Sequence, residues 1–73
     1  MDKELLNRMA DLMTVEARMI NMTGGLGENS LYTGRLGGMM LIARLMGVTV
    51  EYLHDADGNL KKLILNTVNE YDI

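Results

Sequence analysis

The chain has 73 residues, 48% of them hydrophobic, no cysteine and a formal net charge of −3. A single domain this small buries only about 60% of its unfolded surface, and with no disulfide and no Cys/His cluster for zinc, oligomerisation is the remaining staple. The acidic balance offers no basic field for a phosphate backbone, which argues against nucleic acid as a partner, and the lack of cysteine fits a reducing cytoplasm.

The opening Met1-Asp2-Lys3-Glu4 has neither the basic region nor the apolar run of a secretory signal. The longest apolar run, Met39-Met40-Leu41-Ile42-Ala43, ends at Arg44 and falls far short of the ~18 residues that span a bilayer. A soluble, cytoplasmic homo-oligomer without a membrane partner is expected.

From Asp2 to Met22 there is no Gly or Pro, and Leu6, Met9, Ala10, Met13, Ala17 and Ile20 recur at spacings of three and four. That pattern predicts a helix with one apolar stripe. Leu5, Leu12 and Met19, each seven apart, widen it enough to face two neighbours, one from the same chain and one from another subunit. Glu4 and Arg8 form an i, i+4 pair of the favourable orientation.

Six of the eight glycines then fall between Gly24 and Gly38. The turn from Thr23 to Gly27 stops the first helix, and Asn29 or Ser30 suits the N-cap of a second, which runs to about Met46 with Gly47 as its C′ residue. Inside that helix Gly34, Gly37 and Gly38 each cost roughly 1 kcal/mol relative to alanine. Close approach of another backbone would offset this, because Gly34 shares a face with Gly37 and Gly38.

For the last third two readings compete. Leu60, Leu63, Ile64, Thr67 and Val68 fit a helical period, which would make the protein all-α. Val48 to His54 alternates with β-branched residues, however, and Asp55-Ala56-Asp57-Gly58 supplies a turn. A four-residue loop pairing His54 with Asn59 puts Val50 opposite Leu63, Val48 opposite Leu65 and Glu51 opposite Lys62, giving one apolar face and one charge pair. The favoured class is α+β: an antiparallel helical hairpin, about 2–22 and 30–46, followed by a β-hairpin, about 48–54 and 59–68.

Little here can carry catalysis. The one serine, Ser30, reads as a helix cap and the one histidine, His54, as a turn neighbour. Asp55 to Gly58 superficially resembles a calcium loop, but that alignment puts Leu53 and Ile64 at its first and last ligands, so no metal is expected. The eight methionines read as core or subunit interface. The glycine turn remains: backbone N–H groups at Gly25 and Gly27, with Asn29, Ser30, Thr33 and Arg35, could hold an anion at the second helix's start. No strand precedes the glycines, as a dinucleotide or P-loop motif would require, and the same residues could simply build a helix–turn–helix corner.

Glu28, Ser30, Leu31, Arg35 and Leu36 resemble the start of the second helix in small phage helical hairpins that sequester cyclic-nucleotide signals of bacterial immunity. That resemblance implies ligand pockets formed by the corner and its symmetry mate, with Asn29, Ser30 and Arg35 contributing. Gly34, Gly37 and Gly38 replace a threonine and two glutamates of that pattern. The segment Leu41 to Leu53 is similar to the closing segment of Cro/CI-like helix-turn-helix repressors, which packs their domain and does not read DNA. Read as the helix-turn-helix itself, it would bring Thr49, Glu51 and Tyr52 near bases, against the acidic Asp55 and Asp57. The expected function is a non-enzymatic oligomeric protein that sequesters a small anionic ligand such as a cyclic nucleotide, without a cofactor. The alternatives are a helix-turn-helix regulator and an adaptor that blocks a partner protein through its Met-rich helical face.

Overall fold

Helix α1 spans Lys3–Met22 and starts where Asp2 can cap it: the Asp2 carboxylate accepts from the Glu4 and Leu5 N–H groups at 2.7 and 3.2 Å. It buries Leu6, Ala10, Met13, Ala17 and Ile20, the expected stripe, and ends at Thr23 and Gly24, whose φ of +108° suits glycine. The computed structural model describes residues 2–24 and 30–73, so the expectations for Gly25, Gly27 and Asn29 lie outside the described residues.

Helix α2 spans Ser30–Leu45 and runs antiparallel to α1, since Leu5 shares a groove with Met46 while Glu16 meets Arg35. Its end is a Schellman motif: Gly47 takes φ +82°, its N–H bonds Arg44, and the Val48 N–H bonds the Ala43 carbonyl at 2.8 Å. Val48 is buried by this closure, so the strand expected from Val48 begins instead at Val50.

Strand β1 (Val50–His54) pairs antiparallel with β2 (Leu60–Leu65), which pairs antiparallel with β3 (Asn69–Asp72), so the fold is α+β and the all-helical alternative is excluded. The register differs from the one expected. Val50 faces Leu65, Glu51 faces Ile64 and Tyr52 faces Leu63, because a bulge lets Leu53 pair with Lys62 while His54 pairs with Leu60. The bulge has a packing consequence: Leu60 and Leu63, an odd number of residues apart, both point into the core. The connection is closed by the Asp55 carboxylate, which accepts from the Asp57 and Asn59 N–H groups, so Asp55 serves the turn.

Strand β2 also stops earlier than expected. Asn66 and Thr67 take φ of +53° and +60° and turn the chain into β3, placing Thr67 and Val68 in a turn and not in a strand. Asn66 is fixed there by exchanging two hydrogen bonds with the Thr49 backbone.

The sheet lies against the helices through Leu60, Leu63 and Leu65, which join Leu36, Ala43 and the α1 stripe in one core. Polar contacts fix the docking. The Asn21 amide bonds both the N–H and the C=O of Leu60 at 2.8 Å, and the Tyr71 hydroxyl donates to Asn7 at 2.9 Å. Tyr52 carries its hydroxyl to the Met40 sulfur, joining β1 to α2. No helix among the described residues is long and apolar enough to cross a membrane.

Candidate functional site

The helix corner holds the sequence-derived candidates. Ser30 opens α2, and Thr33 and Arg35 follow within its first turn and a half. Residues two apart on an α-helix point some 200° away from each other, so Thr33 and Arg35 do not converge on one point. The Thr33 hydroxyl is buried with no hydrogen-bond partner among the described residues. Arg35 leaves the other side of α2: its guanidinium lies 5.7 Å from the Tyr32 ring centroid and 3.8 Å from a Glu16 carboxylate oxygen. Its charge is thus partly offset, although the side chain remains 54% exposed.

Glu16 itself is unusual. Its side chain is only 14% exposed, and while one oxygen faces Arg35, the other is buried without a hydrogen-bond partner among the described residues. A carboxylate oxygen left in that state costs on the order of 1–3 kcal/mol.

A second feature lies beside this ion pair, on the side of the helices away from the sheet. Leu5, Arg8, Met9, Leu12 and Met13 of α1 and Met39, Ile42 and Met46 of α2 line a groove of about 360 Å3 with almost wholly apolar walls. Leu12 and Ile42 are 61% and 58% exposed along it. Two causes in the sequence create it. The seven-residue series Leu5, Leu12, Met19 sets a second apolar stripe beside the buried one on α1. Helix α2 carries only Arg35 and Arg44 as charged residues, and its apolar side chains are not confined to the side that packs on the core, so Leu31, Leu41, Ile42 and Leu45 are left exposed. The expected close backbone approach at Gly34, Gly37 and Gly38 is not made within the chain: no described atom lies within 4 Å of where a Cβ would stand at any of them.

The far face of the sheet is of opposite character. Lys62 sits between Glu70 and Asp72 at 3.8 and 3.9 Å, with exposed Glu51 on the neighbouring strand. Strand β1 occupies the position that a second helix of a DNA-reading helix-turn-helix would need. Sequence reasoning placed its candidate residues at the corner and held the Met-rich helical face only as an alternative surface, with the broadened α1 stripe as its visible signal. Compared with known proteins, the chain matches no family model, no curated protein and no solved structure.

Proposed function

We propose that this is a non-enzymatic cytoplasmic binding protein whose working surface is the outer face of the helical hairpin, covered by protein. The observation that carries the reading is that α2 exposes Leu31, Leu41, Ile42 and Leu45 outside the side that meets the core. Apolar side chains grouped outside the core in this way mark an interaction surface. The groove between α1 and α2 offers apolar side chains and few polar atoms, the character of an interface centre more than of a polar ligand site. The cysteine-free composition fits the proposed compartment.

A photo-activated cross-linker in place of Ile42 tests it, because Ile42 is exposed on the groove and outside the core. Protein adducts should form in cells that express the chain. A face quenched only by water, with no protein adduct, refutes the reading.

A second reading keeps the small anionic ligand at the corner, supported by the half-exposed Arg35 guanidinium above Tyr32, a flat cationic and aromatic end suited to a phosphate beside a base. Native mass spectrometry with cyclic di- and trinucleotides reads it directly. Mass increments that vanish in Arg35→Ala support this reading, and the absence of any increment rejects it.

A further inference from the structure

We propose that the groove is closed by a second copy of this chain, with α1 packing antiparallel on the other copy's α1 about a two-fold axis at Leu12. This rests on the protein-covered face argued above and names its occupant.

The pattern of α1 about Leu12 supports the pairing. Leu5 lies seven residues before Leu12 and Met19 seven after; Met9 lies three before and Val15 three after; Arg8 lies four before and Glu16 four after. In an antiparallel pair centred on Leu12, each residue therefore meets its counterpart from the other copy. Leu5 meets Met19, Met9 meets Val15, Leu12 meets itself, and Arg8 meets Glu16. Such self-complementarity is what an isologous two-fold interface requires. These positions lie at spacings of three and four on one side of the helix, which suits knobs-into-holes packing over a contact ~21 Å long.

Charge decides for this partner over an unrelated one. Glu16 keeps one carboxylate oxygen buried and without a hydrogen-bond partner among the described residues, and the residue that symmetry brings to it is Arg8, which lines the groove. On assembly the Glu16 carboxyl would have to turn outward to bring that oxygen to the arriving guanidinium. Arg8 is available, because its own partner Glu4 is an exposed i, i+4 neighbour, a pair of little strength that is readily exchanged. The area also fits. The exposed parts of Leu5, Leu12, Val15, Ile42 and Met46 amount to roughly 500 Å2 of apolar surface, within the range of the largest patch of a monomer and about the apolar share of the ~800 Å2 per partner of a standard interface. The resulting dimer is layered sheet, helices, helices, sheet, with the acidic sheet faces outward.

Sedimentation equilibrium of the full chain is the test, and the expected mass is twice the 8.1 kDa of one copy. Leu12→Glu places two carboxylates on the axis and should give monomers with an unchanged circular dichroism spectrum, because Leu12 is exposed in the protomer. Arg8→Glu should weaken the dimer roughly tenfold or more, and the exchange of both charges, Arg8→Glu with Glu16→Arg, should restore most of it. Because Glu16→Arg could disturb folding, Leu12→Cys provides an independent measurement in a chain that has no cysteine. It should oxidise to a covalent dimer, whereas Leu41→Cys, on the opposite side of α2, should not. A wild-type monomer at about 100 μM, a concentration roughly a hundredfold above the Kd of a micromolar complex, or a dimer indifferent to Leu12→Glu, overturns the proposal. Ile42 cross-linking to a different protein would then still stand for the broader reading, and the absence of all adducts would end both.

Discussion

Replacing Asn21 with alanine should be among the most damaging changes outside the apolar core. The side chain gives Leu60 both its acceptor and its donor, each at 2.8 Å, and Leu60 is only 3% exposed at the first position of β2. Alanine forfeits two hydrogen bonds worth about 1 kcal/mol each and leaves a backbone N–H and C=O in a partly buried place, so a loss of about 2–3 kcal/mol is expected. A chain of this size holds on the order of 4–11 kcal/mol in total. Since 1 kcal/mol moves the midpoint of a small domain by some 4–8 °C, the melting temperature should fall by about 10–20 °C. Asn21→Asp retains an acceptor for the Leu60 N–H and loses the donor, so it should fall between the two. Thermal and urea melts followed by circular dichroism, at one fixed protein concentration, measure this directly. A loss below about 0.5 kcal/mol for Asn21→Ala, the scatter of ordinary surface substitutions, would refute the view that this amide anchors the sheet to α1.

Three other substitutions follow from local geometry. Leu63→Ala removes a side chain that is 1% exposed at the centre of the sheet's inner face, and a urea titration should show a loss of about 2–5 kcal/mol. Thr67→Gly relieves a β-branched residue held at φ +60° beside Asn66 and should raise the melting midpoint by several degrees, as an Asn-Gly hairpin turn is preferred there. Tyr52 has its phenol pushed up to about 12 by burial, so its folded value lies above the unfolded one near 10. Its contribution is therefore complete below pH 10 and lost as pH rises towards 12, and Tyr52→Phe should flatten that alkaline limb in melts taken between pH 9 and 12.

The helical hairpin was legible because its signals are local. An apolar stripe of fixed period, a capping Asp2 and a terminating Gly47 each act within one or two turns. The first β-turn was legible for the same reason, since Asp55 satisfies two nearby N–H groups with its own side chain. What escaped depends on contacts distant in sequence. The bulge at His54 is favoured by letting Leu60 and Leu63 both reach the helices, with Asn21 holding Leu60 from 39 residues away. The turn into β3 escaped because Thr67 is an unusual residue for positive φ and Asn66 is fixed by Thr49, on another element. At the site, counting residues gathered Thr33 and Arg35 into one constellation, while the helix sends them to different sides. The groove was half visible: the seven-residue spacing of α1 showed that a second face existed, but its depth depends on where α2 lies.

The glycines of α2 carry the remaining energetic question. Alanine is better than glycine in a helix interior by about 0.8–1 kcal/mol, and within the chain nothing described crowds the space a Cβ would take at Gly34, Gly37 or Gly38. The folded unit by itself gives no compensation for that cost. Joint replacement of the three by alanine should therefore raise unfolding stability in dilute solution by about 2–3 kcal/mol, a large fraction of what so small a domain possesses. Chemical denaturation at low protein concentration measures the gain, and a net loss would mean that another backbone does approach α2 within the fold. Under the pairing at Leu12 the contact is made chiefly by α1, so the same triple variant should keep the dimer. Stabilisation together with loss of assembly would place the contact on the back of α2, where Leu41 and Leu45 stand exposed beside the glycines.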